Sequence, residues 1–169
     1  NNTMSRFIPA GFYYKTFKGP GRSGWMLYEN FIRRSAGLGP ATREPDPDRY
    51  EQFNITCEVL VIGGGVAGIA AATTASASGA KVIVADENPW FGGLADSMDG
   101  TIDGKSQTVW INEQIAGLAH SENVHLLTRT TVTGHYDHNY VLMLERVADH
   151  DPALIDAGAP RHRLWRVRA

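Results

Sequence analysis

Cysteine is almost absent from this chain. Its 169 residues include one, Cys57, so no disulfide can form within it and its stability has to come from packed apolar surface. No activating partner stands beside Cys57 in the sequence, and it reads as a small buried residue rather than a nucleophile. A reducing, cytoplasmic setting is expected. Long hydrophobic runs are missing as well. The longest uncharged apolar stretch, Val59 to Ala72, holds four glycines and falls short of the ~20 residues a membrane span needs. No secretory leader is visible at the N-terminus. Neither sign of charge dominates: the net charge of −2 argues against a nucleic-acid surface. With 43% hydrophobic and 20% charged residues, the composition is that of a globular protein.

The informative stretch runs from Glu58 to Gly93. Glu58-Val59-Leu60-Val61-Ile62 is a short apolar run, suited to a buried parallel strand. It stops at Gly63-Gly64-Gly65-Val66-Ala67-Gly68, a G-x-G-x-x-G, and a run of small residues to Ser78 predicts a helix ending at Gly79. Lys81 to Ala85 predicts a second strand, closed by Asp86-Glu87. Gly63 permits the tight turn, Gly65 lets a pyrophosphate approach the backbone, and Gly68 lets the helix pack close to the sheet. The helix N-terminus offers unpaired N–H groups to phosphates. Asp86 follows Gly63 by 23 residues, where an acid accepts hydrogen bonds from the adenosine ribose. An acid there repels a 2′-phosphate, so NAD or FAD is expected rather than NADP. The fold class is α/β: a Rossmann-like parallel sheet of the two-dinucleotide-binding type, incomplete in this chain.

Residues 1–49 read as a separate aromatic segment. Gly11 to Phe17 is aromatic and basic, a helix is expected over Trp25 to Ala36, and Pro40 to Pro47 is a Pro-rich linker. Residues 50–169 read as the dinucleotide-binding domain. A Gly92-Gly93 pair six residues past the acid is a feature of two-dinucleotide flavoproteins, in which that loop folds back over the cofactor. Ile102 to Lys105 predicts a turn, and Gln107 to Ala119 a helix with Thr108 as N-cap. Val124 to Arg129 predicts the third parallel strand. Three further strands, at Thr130 to Asp137, Asn139 to Val147 and Arg163 to Ala169, predict an antiparallel meander hung on the parallel sheet, with Asp149 to Ala159 as a polar loop.

The remaining polar clusters suggest little chemistry. His135-x-x-His138 with Asp137 falls on a turn without cysteine support, so no metal site is assigned. Arg161, Arg163, Arg166 and Arg168 form one charged face of a strand. No catalytic constellation can be argued from spacing, which places the oxidative chemistry elsewhere.

Beyond the glycine motif, Gly11 to Phe17, Trp25 to Tyr28, Ile32 to Gly39, Asp86-Glu87 with Gly92-Gly93, and Thr130 to Tyr140 together resemble the alpha subunits of heterotetrameric sarcosine oxidases. Parts are shared with alpha subunits of amino-acid and opine dehydrogenases and of hydrogen cyanide synthase. The resemblance implies an internal segment of a much longer alpha subunit, with beta, gamma and delta subunits as partners. It implies oxidation of sarcosine to glycine, transfer of the one-carbon unit to tetrahydrofolate, and hydrogen peroxide as product. FAD and FMN are implied in or against the beta subunit, with NAD held by the alpha subunit's glycine motif. By position, Gly63, Gly65, Ala67 and Gly68 would meet the pyrophosphate and Asp86 the ribose, with Glu87 and Asn88 beside it. Gly93 and Leu94 would approach from the Gly-Gly loop, and the Val132 backbone would touch the adenine. Members often carry a basic residue at 88 and a hydroxyl at 94, from which Asn88 and Leu94 depart. Two other readings share the residues: FAD bound as in an amino-acid dehydrogenase, or an assembly module without a nucleotide.

Overall fold

The computed structural model describes residues 21–39 and 42–169. The aromatic stretch Gly11 to Phe17 lies outside the described residues. The chain divides into two units, Asn1–Asp46 and Pro47–Ala169.

In the first unit, helix α1 spans Gly21–Ser35. It begins before the expected Trp25, because Gly21 and Gly24 weaken a helix by about 1 kcal/mol each without forbidding it. At its end the Leu38 N–H bonds the Arg33 carbonyl and the Gly37 N–H that of Arg34, a glycine-closed terminus.

The second unit is built on a three-stranded parallel sheet. Its strands follow the order β2–β3–β6, where β2 is Val59–Ile62, β3 is Val82–Ala85 and β6 is Val124–Leu127. Before β2 runs β1, Tyr50–Thr56. Helix α2, Val66–Ala77, returns the chain from β2 to β3, and Gly79 closes it with its N–H on the Ser76 carbonyl while Ala80 bonds Ala75. Helix α3, Gln107–Ala119, lies beside α2.

Side chains alternate across β3. Val82 and Val84 join Val61, Ile69, Ala72, Trp110, Ile111 and Leu118 in a core on the helical face. Ile83 and Ala85 join Cys57, Val141, Met143 and Val167 on the other. All four β3 residues are buried, and burial of each Val or Ile stabilises by roughly 1.5–3 kcal/mol. The parallel sheet is therefore sandwiched between two helices and a second sheet.

That second sheet differs from the expected meander. Strands β7 (Thr130–Tyr136), β8 (Tyr140–Arg146) and β9 (His162–Arg168) are antiparallel neighbours, but β1 adds to β9 in parallel, giving the order β1–β9–β8–β7. The four strands form a sheet of their own, packed on the parallel one. The turn expected over Ile102 to Lys105 is the tip of a hairpin between β4 (Thr101–Ile102) and β5 (Lys105–Ser106), with Asp103 and Gly104 both left-handed as a two-residue turn demands. Two local expectations are corrected. That hairpin delivers Ser106, not Thr108, to the N-cap of α3, where its hydroxyl accepts from the Val109 N–H. The loop 149–159 contains a short helix α4, Pro152–Asp156, started by the Asp151 carboxylate on the Ala153 N–H and by Pro152 in the first turn.

Candidate functional site

The site forms where β2 and β3 end. Gly63 turns the chain off β2 with φ of +96°, a conformation that L side chains rarely adopt. Helix α2 follows with Gly65 as N-cap. No side chain caps its first N–H groups and no acid stands in its first turn, so those donors and the positive end of the dipole are available to an anion. A Cβ on Gly65 would meet nothing within 4 Å, so the loop is open on that side. A Cβ on Gly68 would lie 2.0 Å from the Gly63 carbonyl oxygen, so Gly68 serves the close packing of helix on turn. Gly64 has a role the motif does not assign it: a Cβ there would strike the Phe91 ring at 2.2 Å.

Asp86 is 7% exposed and both its oxygens are engaged. Oδ2 accepts from the Gly64 N–H at 2.6 Å and Oδ1 from the Asn88 N–H at 2.8 Å. Each carboxylate oxygen carries two lone pairs, so acceptor capacity remains for hydroxyl groups. The backbone of 86–88 is pinned by β6, by the β6–β7 turn and by β7 and β8 of the second sheet. Asp86 N–H bonds Leu127, Thr130 N–H bonds Asp86 at 2.7 Å, Arg129 N–H bonds Asn88, and the Arg146 guanidinium donates to the Glu87 carbonyl at 3.0 Å. The Gly-Gly loop is laid on the glycine turn: Gly92 N–H donates to Gly64 O at 2.8 Å, and Gly93 approaches the Gly65 Cα.

A cleft of about 300 Å³ opens here. Among the expected site residues, Gly63, Asp86, Glu87, Asn88 and Val132 line it, together with Thr130 and Thr131. Gly65 and Ala67 lie outside its walls, at the start of α2, and Gly68 is turned into the packing. Gly93 rests against Gly65, and Leu94 is 82% exposed, directed to solvent rather than to the cleft. Arg146 carried no local signal, since its partner is a backbone carbonyl 59 residues away. Thr130 and Thr131 adjoin Val132 and could have been found from it. His135 lies in β7 and His138 in the following turn, both exposed, and among the described residues no group of His, Cys, Asp and Glu could hold a metal. No described helix is long and apolar enough to cross a membrane.

This geometry offers N–H donors, a fixed carboxylate and a cleft, and among the described residues no nucleophile stands beside a base at its walls. The chain is 46% identical over its whole length to the sarcosine oxidase subunit alpha of Rhizobium meliloti (strain 1021), spanning 17% of that protein. It is 42% identical, over 79% of its length and 14% of the relative's, to that of Corynebacterium sp. (strain P-1). In structure it is similar to L-proline dehydrogenase from P. horikoshii, with TM-score 0.52 and 20% identity over 77% of this chain and 24% of that one, a likeness of fold. Residues 58–154 match the profile of the family described as FAD dependent oxidoreductase. Matched over more than half of its length, and with the glycine turn, acid and Gly-Gly loop assembled as described, the chain belongs to the FAD-dependent oxidoreductase family.

Proposed function

We propose that this chain holds a dinucleotide, NAD, within the alpha subunit of a multi-subunit sarcosine oxidase. The observation that carries the reading is Asp86, buried at the end of β3 and fastened to the Gly64 N–H, so that acid and phosphate-facing loop form one unit. The residues present suit an adenosine diphosphate moiety. The uncapped α2 N-terminus receives the pyrophosphate over Gly65. Asp86 takes the ribose hydroxyls, with Glu87 and Asn88 at the rim, and Val132 bounds the adenine. Ala67 belongs to the same phosphate-facing turn, while Gly93 supports it and Leu94 makes no direct contact. The negative charge of Asp86 and Glu87 disfavours a 2′-phosphate. NAD held here would be largely structural, whereas a flavin ring at the same cleft would accept hydride. What this chain contributes is binding and orientation, and the residues that oxidise substrate lie outside it.

On this reading the whole enzyme oxidises sarcosine to glycine, with tetrahydrofolate taking the one-carbon unit and oxygen reduced to hydrogen peroxide. The chain works with the rest of the alpha subunit and with beta, gamma and delta subunits in the cytoplasm, and FAD and FMN belong to the complete assembly, in or against the beta subunit. Support comes from the names of the similar alpha subunits. A second reading, FAD at this same cleft, is favoured by the description of the matching family.

The test is to denature the complete native complex and to identify the released nucleotides by absorbance and mass. One NAD per alpha chain, beside flavins, is the expected result. FAD in its place selects the second reading, and no dinucleotide at all overturns both.

A further inference from the structure

A second pocket, of about 450 Å³, lies away from the dinucleotide cleft. Lys81 enters it from just before β3, whereas Asp86 follows β3. At a rise of ~3.3 Å per residue the two flank the strand roughly 16 Å apart. The rest of its wall comes from β1, β8 and β9 of the four-stranded sheet. The register sets Thr56 beside Arg168 and Arg168 beside Tyr140, and in the next row Asn54 beside Arg166. The Arg168 guanidinium lies over the Tyr140 ring, 5.6 Å from its centre.

Among the described residues, no carboxylate pairs with the three cations of this pocket. Among the described residues of this unit, Arg161 and Arg163 pair with Asp48, Asp149, Glu51 and Glu145, and Lys105 with Glu113. Arg49 and Arg146 reach carbonyl oxygens. Lys81, Arg166 and Arg168 reach no carboxylate, and no acid lines the pocket. Glu58, the acid nearest along the chain, turns its Oε2 to the Lys81 backbone N–H at 2.8 Å. Three cations thus face one concavity with a phenol, a hydroxyl and an amide as further polar groups. Holding like charges together without a counter-charge costs free energy that a bound anion recovers.

We propose that this pocket is a binding site for a small anion bearing phosphate or carboxylate groups, held by Lys81, Arg166 and Arg168 and oriented by Tyr140, Asn54 and Thr56. It is independent of the dinucleotide reading, because the two sites share no residue. Arginine supplies forked donors that match phosphate and carboxylate oxygens, and the volume suits a small molecule.

The experiment is calorimetric titration of the complete native complex, its resident dinucleotides in place, with inorganic phosphate and, separately, with citrate. Saturable binding of one probe is expected, weakened by added NaCl. The double variant Arg166→Gln/Arg168→Gln should weaken it by about tenfold or more, with dinucleotide content unchanged. Arg168→Lys, which keeps the charge, should retain most of it. If the double variant does not fold, Lys81→Gln alone should weaken binding by about three- to tenfold. Preference for phosphate or for citrate assigns the ligand's acid group. Absence of saturable binding, or binding unaltered by these variants, overturns the proposal. So does loss of dinucleotide in step with the anion, which would give the anion to the other cleft. Release of a subunit by the double variant without any anion binding would give the surface to a partner chain instead.

Discussion

The Asp86 carboxylate holds the backbone N–H of Gly64 at 2.6 Å, so the acid that closes β3 also fixes the turn that leaves β2. Gly64 is buried, and its N–H has no water to turn to. Asp86→Ala should therefore do two things at once. It orphans a buried donor, lowering folding stability by about 1–3 kcal/mol, and it removes the ribose acceptor, lowering dinucleotide affinity by a similar amount. Thermal unfolding and dinucleotide retention through gel filtration measure the two. If both stay at wild-type levels, the carboxylate does neither task.

The glycines of the turn should separate into two classes when each is changed to alanine. Gly68→Ala drives a methyl into the Gly63 carbonyl and Val61, with an expected loss of about 1–3 kcal/mol of stability whether or not a nucleotide is bound. Gly65 has an extended conformation, φ −72° and ψ −178°, and open space at its Cβ. Gly65→Ala should leave the melting temperature of nucleotide-free protein unchanged while sharply reducing dinucleotide binding. Equal melting losses for the two variants would contradict this division.

Acid should loosen the junction between residues 48–49 and the β8–β9 connection. Arg161 Nε donates to Asp149 Oδ1 at 2.8 Å, and this bond, with a smaller contribution from His162 at 3.7 Å, holds the Asp149 carboxyl below the usual carboxylate range. A depressed folded pKa means that the stabilisation is complete above the unfolded value of about 3.9 and is lost as pH falls through the folded one. Melting temperature followed from about pH 5 down to about pH 2 should therefore fall less for Asp149→Asn than for wild type. Parallel curves would show that the bridge carries no pH dependence.

What could be read in the sequence was what is local. The strand, glycine turn, small-residue helix and acid succeed one another within 36 residues, and each element's signal lies inside itself. Gly79 marks a helix end by its own backbone freedom. Strand β1 lacks a local signal for the opposite reason. Tyr50-Glu51-Gln52-Phe53-Asn54-Ile55-Thr56 is polar, its exposure does not alternate, and among the described residues its one strand partner is β9. The N-cap of α3 went to Ser106 rather than Thr108 because a hairpin, not a hydroxyl count, decides where the helix begins. Asp151-Pro152 did carry a helix-start signal within what reads as a polar loop. At the site, the motif's unassigned Gly64 proved sterically bound to Phe91, and Arg146 holds the Glu87 carbonyl from 59 residues away, which no spacing rule anticipates.

The pairing of β1 with β9 carries a cost in time. Glu51 and Arg163, bonded at 3.0 Å across this pair, are 112 residues apart. A ribosome adding roughly 5–20 residues per second needs about 6–20 s to make that intervening chain. Throughout that interval β1, with Tyr50 and Phe53 along it, waits without its partner, and closing so long a loop is slow even once β9 emerges. Assembly of the second sheet is thus a late event, and the nascent β1 is open to mispairing with a neighbouring chain or to capture by a chaperone in the meantime.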